Sequence, residues 1–441
     1  LLGQGERHGE RQFAFPHRSF QEFLAACHLA NRPEFAADCA RLARDAPGHW
    51  QLVLVLAARI AKAERGATAA DELIGGAGID DFCRERAPAA ADWSCALLAG
   101  MQLLEIGVGA IRSRGRTRAI ANRVAGWLAA SLPVPPADGG VAARQRAFAG
   151  DLLARLGDPR RRLLEVDAMR FAHVPAGAFW MGEQDSGSAP LHRNETLDYD
   201  YWIGEVPISV AQFAEFVGAS GYSEHGAAAL RPPPNQPVVK VTWHDARAFC
   251  AWLTTHWRER LPAGWIVSLP SEAEWEKAAR GGLQIRRAIR LAGIAEGFAA
   301  SDAPLQDNPV PRRSYPWGDD WEVEKANAEM GIGETSTPGV FSGGQSPYGC
   351  EDLAGNVWEW TRSLWGTDWG KPDFGYPYDA NDRLREDPDA SDEVLRVVRG
   401  GSWRNHRDHA RCGIRGCPPP DLRDGLLGFR VVLRSSPVLP L

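Results

Sequence analysis

The stretch Leu269-Pro-Ser-Glu-Ala-Glu-Trp-Glu-Lys-Ala-Ala-Arg-Gly-Gly282 decides the fold of the second half of this 441-residue chain. Ser271 is followed three residues later by Glu274, the spacing of a capping box, in which each side chain bonds the backbone N–H of the other residue. The two glycines that close the stretch are typical of a helix end, where the backbone often turns left-handed. The pattern therefore predicts a short capped helix that carries Trp275.

Two more capping boxes precede this one in the chain. Ser209 with Gln212 and Thr242 with Asp245 have the same three-residue spacing. Behind each pair, large apolar side chains recur at intervals of three and four residues, which places them on one face of a helix. These faces consist of Phe213, Phe216 and Val217 in the first helix, and of Phe249, Trp252, Leu253 and Trp257 in the second.

Short strands and tryptophan-rich turns are expected between these helices. All but three of the seventeen Trp residues follow residue 170, so the two halves of the chain are built differently. The segment Phe171–Gly182 alternates around a Pro-Ala-Gly turn, which predicts a β-hairpin. The Arg-rich insertion 283–313 and the acidic, aromatic insertion 364–394 are expected to be solvated loops that shape the rim of a binding site.

Six motifs between residues 171 and 433 resemble, in the same order, those of the formylglycine-generating enzymes, the sulfatase-modifying factor family. They are Pro237–Cys250, Leu269–Gly282, Tyr315–Gly318, Asp352–Trp360, Arg399–Trp403 and Gly428–Arg430. The resemblance implies an α+β fold class: a C-terminal domain of C-type-lectin-like fold with sparse regular structure, which here follows an all-α helical domain.

The resemblance also implies structural calcium. Asp352, Gly355, Val357 and Glu359 match the family's calcium-binding loop, and Asn327 matches a second calcium site in a loop that is shorter here. Ca²⁺ takes six to eight oxygen ligands, many of them backbone carbonyls of an irregular loop together with a carboxylate. We therefore expect Ca²⁺ as a structural cofactor.

The catalytic cysteine pair of the family is missing. Its enzymes bind copper through two cysteines with four residues between them, just after a Gly-Gly-Ser motif, and soft thiolates suit Cu(I). Counted from Gly401-Ser402, those positions hold Asn405 and Ala410, so no copper is expected and the domain is predicted not to catalyse the family's reaction. Cys412 and Cys417 keep the spacing further along. They leave open an alternative, an oxygen- and metal-dependent sulfatase-modifying enzyme with a displaced cysteine site.

Without catalysis, the fold is expected to bind a ligand. The segment Trp403–Leu427 joins two motifs, and in the family this stretch crosses the substrate face. Arg411, Arg415 and Arg423 are expected to buttress the loop. The predicted binding residues for a protein or other macromolecular ligand are Trp403, Arg404, Asn405, His406, Asp408, His409, Gly413, Gly416 and Cys417.

The same fold serves the variable proteins of diversity-generating retroelements. Those systems mutate adenines in Asn-type codons, which yields Asn, His, Asp, Arg, Cys, Gly and Ser but not Lys, Glu, Gln or Met. None of these four types occurs between Trp403 and Leu427. The composition therefore favours a hypervariable binding face.

The N-terminal segment reads as helices rich in Ala, Leu and Arg. A first helix is predicted at Ser19 with Glu22 as its capping partner, and with His17 as a structural residue at its entrance. Further helices are expected around Leu52–Leu56, Asp92–Met101 and Arg118–Leu132. One apolar face of the first helix would comprise Phe20, Phe23, Leu24 and Cys27.

The stretch Phe13–Ala26 resembles the end of the helical region that follows the nucleotide-binding core in NACHT-type signalling ATPases. No Gly-x-x-x-x-Gly-Lys-Ser/Thr loop is present, so an upstream ATPase in a longer chain would have to bind the nucleotide. The alternative is an unrelated helical bundle. The predicted domains are 1–132, this helical region; 133–168, a linker and a bridging helix from about Arg144 to Leu156; and 169–436, the formylglycine-generating-enzyme-like domain.

Composition sets the remaining expectations. A net charge of −6 gives no reason to expect nucleic acid as a partner. No apolar run reaches the roughly 20 residues of a membrane span, so no membrane partner is expected. Eight scattered Cys residues, without a dense framework, favour a reducing, cytoplasmic location.

Overall fold

The computed structural model describes residues 3–7, 10–14, 17–66, 89–109, 115–184, 186–187, 189–300 and 302–435. It divides into two compact units, Leu1–Pro159 and Arg160–Leu441. The boundary falls inside the predicted connecting segment 133–168. Among the described residues, no helix combines the length and apolar character needed to cross a bilayer.

The first unit begins with a hairpin that the sequence did not predict, in which β1 (Gly3–Arg7) pairs with β2 (Glu10–Ala14). Helices follow, with a core of small and aliphatic side chains such as Leu54, Ala57 and Leu103. Their bounds are α1 Arg18–Ala30, α2 Phe35–Asp45, α3 Pro47–Arg65, α4 Ala90–Ile106, α5 Gly115–Ser131 and α6 Ala143–Leu156. The predicted helical character is confirmed.

Two predictions for α1 were wrong. The helix is capped by His17, whose ring accepts a hydrogen bond from the Ser19 N–H, while Glu22 pairs with Arg18 at 2.9 Å. The predicted apolar face points to solvent, since Phe20 is 61% exposed and Phe23 is 49% exposed. The residues that the helix buries are Ala26, Leu29 and Ala30. Two of these three are alanines, which allow helices to pack closely. The spacing of the apolar residues alone does not reveal which face of the helix packs against the others.

The second unit combines helices and small sheets, so the predicted α+β class is confirmed. Its helices are α7 Val210–Ser220, α8 Trp243–His256 and α9 Glu272–Arg280. A five-stranded sheet has the order β7-β15-β6-β3-β9, with bounds Trp265–Ser268, Val432–Ser435, Tyr201–Gly204, Arg170–Val174 and Leu291–Gly293. A four-stranded sheet has the order β13-β12-β11-β14, with bounds Arg415–Gly416, Leu395–Arg399, Trp358–Gly366 and Leu427–Gly428. Two pairs complete the unit, β4 Phe179–Met181 with β5 His192–Asn194 and β8 Gln284–Arg286 with β10 Leu305–Asp307.

All three predicted capping boxes are confirmed. The hydroxyls of Ser209, Thr242 and Ser271 each accept a bond from the N3 amide, and the N3 side chain bonds back in every case. The large residues behind the first two caps, including Phe213, Phe249 and Leu253, form the main core of the unit.

The predicted hairpin at Phe171–Gly182 was wrong. Its first half is β3, which pairs with β6 and β9, and its second half is β4, which pairs with β5. The two halves therefore belong to different sheets. The insertion 283–313 is likewise more than a loop, because it supplies β9 to the edge of the five-stranded sheet.

Every residue of α9 is buried, although five of its nine side chains are charged. Arginines from distant segments reach the helix and compensate its carboxylates. Glu274 pairs with Arg362 through two hydrogen bonds of 2.5 and 3.0 Å, and Glu276 pairs with Arg399 and with Arg280. Buried charges persist only when they are paired in this way.

A second buried pair joins α9 to both sheets. Glu359 on β11 accepts two hydrogen bonds from Arg430, at 2.6 and 2.7 Å, and a third from the indole N–H of Trp275 on α9, at 2.7 Å. Arg430 also donates to the carbonyl oxygens of Gly204 and Glu351, at 3.0 and 2.9 Å. The motifs that contain Trp275, Glu359 and Arg430 thus meet at the carboxylate of Glu359.

Replacing Arg430 by Met should destabilise the domain by about 3–5 kcal/mol, because Glu359 would remain buried without its cation. Equilibrium urea unfolding of both proteins measures the difference. The matched control is Arg161→Met, which removes an exposed pair with Glu165 and should leave the free energy of unfolding nearly unchanged. Equal effects of the two substitutions would show that the buried pair has no special role.

Candidate functional site

The predicted binding segment starts at a tight backbone turn. Gly400 and Gly401 follow β12 with φ angles of 99° and 72°, in the region that favours glycine. A Cβ atom at Gly401 would lie 2.8 Å from the carbonyl oxygen of His409. The glycine therefore lets the loop 402–410 fold back against its own origin.

The two positions that the resemblance assigns to copper-binding cysteines are Asn405 and Ala410. Both side chains are already hydrogen-bonded or packed within the domain. The Asn405 Oδ1 accepts hydrogen bonds from the Trp358 indole N–H at 2.9 Å and from the Ser402 hydroxyl at 2.5 Å. Ala410 is buried in a small cluster with Tyr315, among others. Neither side chain can supply a thiolate for copper.

Cys412 and Cys417 belong to separate apolar clusters. Cys412 is fully buried beside Trp275, and burial raises the pKa of its thiol to about 12. Cys417 packs against the cluster of Trp365, and burial also raises its pKa. Both thiols are held in the protonated form, which is the poorer metal ligand and nucleophile.

Between the fixed ends of the segment lies an exposed stripe, which we call the 404–409 face. Arg404, His406, Asp408 and His409 were predicted as binding residues and are exposed in the structure. Arg407 is also exposed, and the sequence analysis missed it. It pairs with Glu329 at 2.8 Å, and His406 lies between Glu329 at 3.3 Å and Asp408 at 3.1 Å.

A second segment borders this face and was not predicted. The N–H groups of Glu329 and Met330 donate to the carbonyl oxygens of Asn405 and Trp403, at 2.9 and 2.8 Å. Both residues have positive φ angles, 53° and 57°, which is uncommon outside glycine and asparagine. The Met330 side chain is 56% exposed. The only sequence signal was the neighbouring Asn327, assigned to calcium.

The remaining predicted binding residues are less accessible than expected. Gly413 is buried, and a Cβ atom there would lie 2.5 Å from Glu183. Gly416 belongs to β13 and pairs with Val398, while Trp403, Asn405 and Cys417 are half-buried. The exposure predicted for Gly413 was therefore wrong, because the chain returns to the sheet after Ala410.

The three arginines predicted to buttress the loop do so. Arg415 donates to Glu272 through two bonds of 2.7 and 2.9 Å and lies between the rings of Trp365 and Tyr376. Arg423 pairs with Asp245, and Arg411 pairs with Asp408 at 3.1 Å. These contacts hold the ends of the segment and leave the 404–409 face as its accessible part.

The predicted calcium ligands are only partly brought together. Asn327 bridges to Gly355 through the backbone, and Asp352 accepts a 2.9 Å bond from Asn356 in the same loop. Glu359 faces the interior, where Arg430 and Trp275 occupy both of its oxygens. Val357 is buried at the foot of β11. Within the part of the chain that the structure describes, no group of three His, Cys, Asp or Glu side chains is placed to hold a metal.

Asn327 and Asp352 both bond the Asn356 side chain, at 3.4 and 2.9 Å, so their oxygens are the candidates for a hard cation here. The Oδ1 of Asn327 is buried and has no hydrogen-bond partner among the described residues, so a bound cation would satisfy it. Burial, with Glu351 nearby, raises the pKa of Asp352 to about 7. Calcium remains a prediction that rests on these groups without Glu359.

Comparison with known proteins identifies the second unit. Residues 159–435 match the sulfatase-modifying factor enzyme 1-like domain family. The chain is 28% identical over 329 residues to the formylglycine-generating enzyme of Thermomonospora curvata, a match that covers 62% of this chain and 95% of that protein. It is 32% identical over 212 residues to the inactive Cα-formylglycine-generating enzyme 2 of Bos taurus, with 44% and 49% covered. Among solved structures, Treponema denticola variable protein 1 aligns with a TM-score of 0.42 and 22% identity, over 60% of this chain and 95% of that one.

Asp352→Asn should stabilise the calcium-free protein above pH 7 by about 2–4 kcal/mol, because the folded state favours the neutral acid. Because the pKa of Asp352 is higher in the folded than in the unfolded protein, its contribution to stability is greatest below the unfolded pKa of about 3.9 and is lost as the pH rises through 7. Urea unfolding in a chelator across this pH range measures the effect. The control Asp389→Asn, at an exposed aspartate, should follow the parent at every pH.

Millimolar calcium should make the parent more stable than Asp352→Asn. Calcium binding requires the ionised carboxylate, so it should stabilise the parent and not Asp352→Asn. If calcium leaves the unfolding of the parent unchanged, the calcium prediction is wrong.

Proposed function

This chain belongs to the sulfatase-modifying factor enzyme 1-like domain family, and we propose that its domain recognises a macromolecular ligand and does not generate formylglycine. One observation carries the proposal. The two positions that need thiols hold Asn405, which is bonded to Trp358 and Ser402, and Ala410, which is packed in a core cluster. A relative from Bos taurus, 32% identical over 212 residues, is described as an inactive Cα-formylglycine-generating enzyme, which supports the proposal.

The displaced-cysteine alternative finds less support. A copper site needs two thiolates that converge on one metal ion. Cys412 lies in the cluster of Trp275 and Cys417 in the cluster of Trp365, and burial raises the pKa of both thiols. The geometry therefore favours two structural thiols over a relocated metal centre.

The 404–409 face supports ligand binding. It presents two histidines, two arginines and an aspartate, with the exposed Met330 at its border. Mixed polar side chains beside apolar ones suit an adaptable protein-binding surface. A macromolecule is the better occupant, because the face is an exposed stripe and not a closed cavity.

The division of the segment Trp403–Leu427 into exposed and buried positions supports hypervariability of the exposed ones. The exposed positions are of types that adenine mutagenesis yields, and their neighbours Arg415, Gly413 and Gly416 are fixed by ion pairing or close packing. Substitution at the exposed positions would change the surface without breaking a buried contact. We infer that this face varies in the manner of retroelement variable proteins.

The upstream partner follows from the N-terminal resemblance. If the stretch Phe13–Ala26 is the tail of a NACHT-type ATPase, the recognition domain would act as the sensor of a cytoplasmic signalling protein. Ligand binding at the 404–409 face would then be relayed to the ATPase.

Two matched display libraries test recognition. Randomising residues 404 and 406–409 should give folded variants, from which binders to a defined protein such as lysozyme can be selected, because these side chains make few buried contacts. Randomising 411, 413 and 415–417 should give mostly unfolded variants, because Glu272 loses its two hydrogen bonds from Arg415 and Gly413 has no room for a Cβ atom. Protease resistance measures folding. Loss of folding in the first library, or the absence of any binder from it, would contradict the proposal.

The proposal also predicts that copper chemistry depends on restored thiols. The parent should neither bind Cu(I) tightly nor convert a Cys-containing sulfatase peptide to formylglycine. The double variant Asn405→Cys, Ala410→Cys should gain Cu(I) binding, because it restores the family spacing. Cu(I) binding by the parent that disappears in Cys412→Ser and Cys417→Ser would establish the alternative enzyme instead.

A further inference from the structure

A polar pocket of about 590 Å³ lies between three segments of the second unit. Its walls come from the end of β4, from the stretch that includes Arg312 and Asp319, and from Arg411 to Ile414. The volume is in the range of small-molecule sites. Nothing in the recognition role proposed above accounts for it.

The walls of the pocket are held by directed bonds. Arg280, at the end of α9, donates to the carbonyl oxygens of Gly182 at 2.8 Å and of Arg312 at 3.1 Å, so it joins two walls. The third wall is attached through Cys412, whose N–H donates to the Ser314 carbonyl at 2.7 Å, and through Gly413, whose N–H donates to Glu183 at 2.9 Å. The pocket therefore exists before any ligand binds.

The charges in the pocket are unevenly compensated. Arg280 is paired with Glu276 and Glu183, each at 3.1 Å. The side chain of Arg312 is exposed and forms no hydrogen bond or ion pair with any residue that the structure describes. Its guanidinium lies 3.8 Å from the centroid of the Trp180 ring, which orients it by stacking. Among the described residues, the lining carries the three arginines Arg280, Arg312 and Arg411 and the two carboxylates of Glu183 and Asp319.

Arg411 adds a second guanidinium to the cavity. One of its terminal nitrogens bonds Asp408 at 3.1 Å, the group also bonds the Tyr315 hydroxyl, and the side chain stays 43% exposed. Because a guanidinium has five N–H donors, these two partners leave others for a ligand oxygen. Arg312 and Arg411 thus place two accessible guanidinium groups in one cavity.

We propose that this pocket binds a small organic anion through a phosphate or carboxylate group. The planar guanidinium fork matches both groups and can bond them bidentately. Gln184, Ser314 and Asp319 line the same cavity and suit hydroxyl groups on the rest of the ligand. The ligand is small and charged, in contrast to the macromolecule proposed for the 404–409 face.

Calorimetric titration with inorganic phosphate and with citrate tests the pocket, since these probes carry the two anion chemistries. The titration uses the whole chain at low ionic strength, with chloride as the reference anion. At least one probe should bind, and Arg312→Gln should weaken that binding at least tenfold. Arg411→Gln should weaken it as well. The matched control is Arg287→Gln, an exposed arginine of the same insertion outside the pocket, which should change the affinity less than twofold.

Three results would overturn the proposal: no binding of either probe, equal loss in Arg312→Gln and Arg287→Gln, or binding that chloride abolishes completely. Thermal unfolding of each variant confirms that the protein remains folded. The test does not use the 404–409 face, so failure of the library selections and failure of anion binding can be told apart.

Discussion

The buried ion pair between Glu359 and Arg430 is the contact on which the second unit depends. It joins the long central strand to the C-terminal motif, and the Trp275 indole connects both to helix α9. Arg430 continues to the carbonyl oxygens of Gly204 and Glu351, so segments far apart in sequence meet at one guanidinium. A pair of this kind gives little net stability relative to apolar groups, but either partner is costly to lose alone. It therefore specifies how the irregular segments are assembled.

The same principle explains how the fold accommodates Asn405 and Ala410 at positions that the resemblance assigns to cysteines. The buried charges that hold the domain together lie on α9, on β11 and β12 and at Arg430 between β14 and β15, whereas Asn405 and Ala410 lie on the loop beyond Gly401. Asn405 accepts hydrogen bonds from Trp358 and Ser402, and these bonds anchor the loop. The scaffold and the chemistry of the family thus occupy separable parts of the structure.

Most features that depend on neighbouring residues were predictable from the sequence, although the cap predicted at Ser19 was wrong. The caps at Ser209, Thr242 and Ser271 involve residues three positions apart, and all three were found. Features that depend on distant residues were not. The strand Phe179–Met181 turns away from its predicted partner because His192–Asn194 pairs with it instead, and Phe20 is exposed because smaller residues make the helix contacts. For the candidate site, the sequence predicted the binding segment but not which of its residues are exposed. The burial of Gly413, the exposed Met330 beside the segment and the stacking of Arg312 on Trp180 all arise from tertiary packing.

The glycine turn at Gly401 and the clamp between Arg415 and Glu272 together isolate a short loop mechanically from the rest of the domain. Changes at the exposed positions 404 and 406–409 would disturb the fold less than changes at Asn405 or Ala410, which anchor the loop. Under the proposed recognition role, such a surface would be highly evolvable. New specificities would then be reached through single exposed positions, while the cost of misfolding would stay confined to the residues that anchor and close the loop.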